Sequence, residues 1–62
     1  MEVYLVKSGM LREYGWEWLN LAVYDNNDAA VAKAREVEKE ISPEALDETE
    51  CVEIESFTVR SW

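Results

Sequence analysis

The stretch "WEWLNLAVYDNND", residues 16–28, decides the fold. Its first nine residues alternate: Leu19, Leu21 and Val23 point to one side, while aromatic and polar residues point to the other. This alternation is typical of a strand with one buried face. The last four residues provide Asp25 as a helix N-cap, with Asp28 three positions later, close to a capping box. A half-buried strand is therefore predicted to lead directly into a helix.

The helix is predicted to run to about Glu40. Its apolar positions recur every three or four residues, which places them on one helical face. These positions are Ala30, Ala34, Val37 and Ile41.

The segments on either side complete the predicted elements. "EVYLVKS" (2–8) is β-branched and aromatic and predicts a strand, and "GMLREYG" (9–15) predicts a loop or wide turn because glycines stand at both ends. "SPE" (42–44) predicts a short turn with proline at its first helical position. "ECVEIESFTVRSW" (50–62) predicts a third strand, with a bulge near Ser56 because Phe57 and Val59 are out of phase with Ile54.

The predicted order is strand, strand, helix, strand, within a single domain spanning residues 1–62. A right-handed crossover that skips one strand puts the third strand beside the first. The fold class is therefore α+β, a three-stranded antiparallel sheet of order 2-1-3 with one helix on one face. The sheet residues predicted to meet the helix are Val3, Leu5, Leu19, Leu21, Val23, Val52 and Ile54.

The other sheet face has no helix to cover it. It is predicted to carry Tyr4, Val6, Trp16, Trp18, Tyr24, Cys51, Glu53 and Glu55. An apolar patch with two tryptophans usually marks a contact surface. Alternatively, Tyr14, Trp62 or the 9–15 loop folds back over it.

Length and composition limit the class of protein. A chain of 62 residues forms a marginally stable core and is helped by a staple or a partner. One cysteine and no histidine leave no internal disulfide and disfavour structural zinc. No apolar run reaches membrane-span length, and an acidic residue stands where a secretion signal carries bases. We expect a cytoplasmic protein without a cofactor.

The negative charge is concentrated in residues 36–55. One lysine accompanies nine carboxylates there, whereas the remaining residues carry equal numbers of acids and bases. A face that serves only solubility mixes charges of both signs, and acids near a helix C-terminus oppose the macrodipole. These observations favour a partner-binding role over the alternative of a solvated face. The predicted partner-binding acids are Glu36, Glu38, Glu40, Glu44, Asp47, Glu48, Glu50, Glu53 and Glu55, together with Trp16, Trp18 and Tyr24.

Other chemistry has little support in the sequence. Acid–base catalysis most often uses histidine, and the acids beside Cys51 would raise its pKa, so no catalytic residue is predicted. "DNNDAA" (25–30) lacks the spacing and glycine of a calcium loop, so no metal site is predicted. Six bases against fourteen acids disfavour direct nucleic-acid binding.

The segments "EVYLV", "WEWLNLAVYDNNDAAVAKA" and "VEIESFTV" together resemble small uncharacterised strand–strand–helix–strand domains of bacteria and phages. In size and acidity the chain also resembles anti-CRISPR inhibitors that act as DNA mimics or steric plugs. This resemblance implies a non-enzymatic inhibitor that occupies the basic nucleic-acid-binding surface of a protein or complex, a CRISPR effector complex being one example. The alternative is an assembly module that forms a homodimer through its tryptophan face.

Overall fold

The computed structural model describes residues 1–46 and 48–60. It contains β1 (Glu2–Arg12), β2 (Gly15–Tyr24), α1 (Asn27–Glu40) and β3 (Glu50–Thr58). The sheet order is β2-β1-β3, both pairings are antiparallel, and α1 packs on one face. The predicted fold class and strand order are therefore confirmed.

The hairpin between β1 and β2 is tighter than the predicted wide turn. Arg12 pairs with Gly15, so only Glu13 and Tyr14 form the connection. Gly15 has a φ of 118°, a backbone conformation that other residues rarely adopt. Gly9, predicted to begin the loop, lies inside β1 and is buried.

A β-bulge in β2 changes the phase of its alternation. Val6 pairs with Ala22 and Lys7 with Asn20, which leaves Leu21 as the extra residue. The bulge predicted near Ser56 is wrong, because the register between β1 and β3 continues without a shift along the whole pairing.

The core lies between α1 and one sheet face. It is centred on Val6, which is fully buried, with Ala30 and Ala34 of α1. The half-buried residues packed against it are Tyr4, Leu21, Tyr24, Val52 and Ile54.

This core corrects the predicted sheet faces. Tyr4, Val6 and Tyr24 belong to the helix side instead of the open side. Val3 and Leu5 alternate with the core residues of β1 and therefore lie on the opposite face. In β3, Val52 and Ile54 pack against the core while Glu53 and Glu55 are exposed, as predicted.

Two further residues predicted for the core are exposed. Val23 is 60% exposed because the bulge turns it away from the helix side. Leu19 is 63% exposed on the helix side, at a part of β2 that α1 leaves uncovered.

The helix N-cap lies one residue later than predicted. Asn26 is the N-cap, and its Oδ1 accepts a hydrogen bond from the Ala29 N–H at 2.8 Å. The predicted cap, Asp25, instead accepts a bond from the Asn26 side-chain amide at 3.1 Å. Ala30 and Ala34 give α1 a small-residue face that allows close packing on the sheet.

The connection from α1 to β3 folds back against the hairpin. The Glu44 N–H donates to Ser42 Oγ at 3.3 Å, and the Leu11 N–H donates to the Thr49 carbonyl at 2.7 Å. The connection therefore lies near the hairpin turn. In the part of the chain that the structure describes, no helix has the length and apolar character needed to cross a membrane.

Candidate interaction surfaces

The sheet face opposite α1, here called the open sheet face, is a broad apolar surface. Its apolar side chains come from all three strands, and its charged residues are one lysine and two glutamates. The strand registers assign to it Val3, Leu5, Lys7, Gly9, Leu11, Trp16, Trp18, Asn20, Val23, Cys51, Glu53, Glu55 and Phe57. Trp16 and Trp18 lie there as predicted, whereas Tyr24 packs on the other side.

The two tryptophans form a stacked pair near the centre of this face. Their ring centroids are 6.0 Å apart with an interplanar angle of 26°. The Trp18 ring lies across β1 over Gly9, so close that a Cβ built on Gly9 would meet Trp18 Cζ3 at 2.7 Å. Each tryptophan is nevertheless about two-fifths exposed. The pair is therefore fixed in position and still accessible.

Lys7 connects the aromatic pair to β3. Its ammonium nitrogen lies 4.7 Å from the centroid of the Trp18 ring and 3.0 Å from Glu55 Oε2. The first contact is a cation–π interaction, and the second neutralises one of the two glutamates on this face. Glu53 is exposed and lies opposite Lys7 in the register of β1 and β3.

Two of the segments expected to cover this face do not do so. Tyr14 is 78% exposed, and the predicted 9–15 loop is replaced by paired strands and a two-residue turn. The third candidate, Trp62, lies outside the described residues.

Sequence reasoning missed part of the open sheet face because it reversed the phase of β1, assumed regular alternation in β2 and expected a bulge in β3. Leu11, Phe57 and Val23 are each more than two-fifths exposed and extend the apolar surface around the tryptophans. One signal was available: Gly9 interrupts an apolar strand, and glycine inside a strand often marks the close approach of another group.

Shallow grooves lie between β1 and β2 and between β1, the end of α1 and the start of β3. The first, of about 250 Å³, is bordered by Arg12 and Glu17, whose side chains pair at 3.0 Å. The second, of about 230 Å³, is bordered by Glu40 and Glu50. Both are smaller than the ~300 Å³ at which ligand pockets usually begin. These grooves give little support to a small-molecule site.

The structure divides the predicted acidic surface between different sides of the molecule. Glu53 and Glu55 lie on the open sheet face, opposite α1. Glu36 and Glu38 belong to α1, with Glu38 half-buried. The acids of residues 40–50 are here called the acidic end. They are Glu40, Glu44, Glu48 and Glu50, with Asp47 outside the described residues.

The acidic end differs from the sheet in having no base in its sequence. Among residues 1–46 and 48–60, the ion pairs are Lys7–Glu55 and Arg12–Glu17, both on the sheet.

The same described residues contain no group of three or more acids, cysteines or histidines arranged to hold a metal ion. Comparison with known protein families, with curated proteins and with solved structures gives no match.

Proposed function

We propose that this protein is a non-catalytic interaction domain that binds a protein partner through its open sheet face. The observation that carries the proposal is the stacked Trp16–Trp18 pair, fixed on Gly9 and Lys7 but still about two-fifths exposed. A tryptophan cluster surrounded by aliphatic side chains and a few charges has the composition of a protein contact site. The single cysteine also fits a reducing compartment such as the cytoplasm.

The proposal is tested by replacing both tryptophans with serine. Tagged wild-type protein and Trp16→Ser/Trp18→Ser are used to capture partners from cells that produce the protein, and bound proteins are quantified. Leu19→Ser is the matched control, because Leu19 is equally apolar and 63% exposed but lies on the helix side. We expect binding to be lost in the double variant and retained in the control, when all proteins are compared at a temperature at which far-UV circular dichroism shows them folded.

Two results would contradict this proposal. If the double variant binds as well as wild type, the tryptophans are not a contact surface. If the double variant unfolds, and wild-type protein is monomeric and stable without a partner, the tryptophan pair serves the stability of the domain instead.

A second candidate function is occupation of a basic, nucleic-acid-binding surface by the acidic end. The observation that favours it is the run of five acids without a base in residues 40–50, of which the exposed Glu40, Glu44 and Glu48 face solvent. Binding of this kind would be DNA mimicry or steric block, as in the anti-CRISPR inhibitors that the chain resembles. A CRISPR effector complex is one partner of this class.

Charge reversal distinguishes the second candidate from a solubility role. Glu44→Lys/Glu48→Lys changes the acidic end, and Glu2→Lys/Asp25→Lys changes net charge equally at the opposite end of the sheet. Glu13 and Glu17 are unsuitable controls because the hairpin turn lies near the acidic end through the Leu11–Thr49 bond. We expect the first pair alone to weaken partner binding, and added salt or DNA to weaken wild-type binding.

If both charge-reversal variants weaken partner binding equally, binding depends on net charge and not on the acidic end. Binding that withstands both high salt and competing DNA would eliminate mimicry and leave the open sheet face as the contact surface.

A further inference from the structure

We propose that the occupant of the open sheet face is a second copy of this chain, so that two sheets pack face to face with an α1 on each outer side. This inference rests on the proposed function of that face, and it names the partner.

The exposed area of the chain supports an interface with a second copy. The chain exposes 4874 Å², whereas a compact monomer of 7.2 kDa is expected to expose roughly 4100 Å². The difference, roughly 750 Å², is close to the ~800 Å² that each partner contributes to a standard interface. Exposed ends such as Met1 and Arg60 account for part of the difference. The remainder is consistent with one uncovered sheet face.

The dimensions of the chain agree with the area. Its radius of gyration is 12.9 Å, while a compact domain of this length is expected to have roughly 10.6 Å. The molecule measures 42 × 25 × 13 Å, so it is an elongated slab with a thin short axis. Face-to-face packing adds the next sheet about 10 Å away and thickens that short axis.

The small core indicates that the folded domain is stabilised by a partner that is always present with it. Among the described residues, only Val6, Ala30 and Ala34 form the buried apolar cluster. A domain of this size usually needs a disulfide, a metal or association to be stable. A second copy is always available at the concentration of the chain itself, and its binding stabilises the folded state.

The charge of the open sheet face also permits a second copy. The whole chain has a net charge of −8, but the charged strand residues on this face are Lys7, Glu53 and Glu55, of which Lys7 and Glu55 form an ion pair. Most of the negative charge therefore lies away from the contact, where solvent and salt screen repulsion between copies. A strongly basic partner would find little to attract it on this face.

A matched pair of variants tests the dimer. Val23→Glu places a carboxylate on the open sheet face, and Leu19→Glu places one on the helix side of the same strand. The two native residues are 60% and 63% exposed, so neither substitution should unfold a lone chain. A symmetric dimer contains each substitution twice, and a carboxylate enclosed in an apolar contact is costly.

Sedimentation equilibrium should give wild type and Leu19→Glu twice the mass of one 7.2 kDa chain. Val23→Glu should raise the dimer dissociation constant by roughly a hundredfold or more, or leave an unfolded single chain if folding requires the dimer. The melting temperature of wild type should rise with protein concentration.

Wild type that sediments as a single chain at every concentration, with a constant melting temperature, would overturn the inference. Equal weakening by both variants would also overturn it, since association would then involve strand edges or general charge. The proposed function survives either result if wild type captures a different protein and Trp16→Ser/Trp18→Ser does not. The proposed function fails if that variant captures the same proteins as wild type.

Discussion

Gly9→Ala should destabilise the protein, although alanine is ordinarily preferred to glycine in a strand. The added Cβ would lie 2.7 Å from Trp18 Cζ3 and 2.9 Å from two further ring atoms, so the ring must leave its place on β1. Trp18 is 40% exposed, which implies that roughly 150 Å² is hidden, worth roughly 3–4 kcal/mol. Losing about half of this contact costs roughly 2 kcal/mol. Alanine recovers about 0.5–1 kcal/mol, so the net loss is about 1 kcal/mol.

The same substitution should have the opposite sign when the ring is absent. In a Trp18→Val background nothing remains for the new methyl group to displace, and Gly9→Ala should stabilise by about 0.5–1 kcal/mol. Urea denaturation of wild type, both single variants and the double variant, at one fixed protein concentration, measures this cycle. The expected coupling is roughly 1.5–2 kcal/mol. The reasoning is refuted if Gly9→Ala has the same sign and size in both backgrounds.

Two smaller predictions test local contacts. Asn26→Ala should lower the free energy of unfolding by about 1 kcal/mol because it removes the helix cap, while Asp25→Ala should change it much less; equal effects in urea titrations would contradict the assignment of the cap. The Tyr4 hydroxyl donates to Glu2 Oε2 at 3.1 Å, and this bond, followed by desolvation and the glutamate charge, raises the pKa of Tyr4 above its ordinary 10.0. The contribution of that bond to stability is present below the ordinary pKa and is lost as pH rises through the raised one. Glu2→Gln should lower the pKa of Tyr4 in an NMR titration, and an unchanged value would show that the carboxylate is not the cause.

The element order could be predicted because several local signals agree. The alternation of residues 16–24, the polar cap before α1 and the spacing of Ala30 and Ala34 each specify one element. A crossover that skips one strand then places β3 beside β1, which is the order observed. These signals depend on short-range geometry, which the order of residue types records directly.

The sheet faces could not be predicted in the same way. In β1 both alternating sets of residues are apolar, Tyr4 with Val6 and Val3 with Leu5. Alternation alone therefore does not show which set faces the helix. In β2 the bulge at Leu21 shifts the phase, so a reading that assumes regular alternation assigns Val23 and Tyr24 to the wrong sides. A bulge depends on pairing with the neighbouring strand, which the sequence of β2 does not show by itself.

The acidic residues show a related limit. Their concentration in residues 36–55 is plain in the sequence, but whether they share a surface depends on the fold. Adjacent positions of β3 point to opposite sides of the sheet, and the rest of the run lies on α1 and its connection. A run of like charge along the chain is therefore not one charged surface here. Among the described residues this leaves Glu40, Glu44, Glu48 and Glu50 of the acidic end, on the C-terminal end of α1, its connection and the start of β3, as the acids to test against a basic partner.

The ambiguity of β1 is itself informative about association. A strand that is apolar in both phases is typical of a strand buried on both faces, whereas a strand with one solvated face alternates. β1 is the central strand, its Tyr4 and Val6 meet α1, and its Val3, Leu5 and Leu11 face the open side. Residues 1–46 and 48–60 of one chain supply a layer for only one of these faces. The residues that misled the face assignment are those expected if a second sheet layer completes the fold, and the Val23→Glu and Leu19→Glu comparison tests that layer directly.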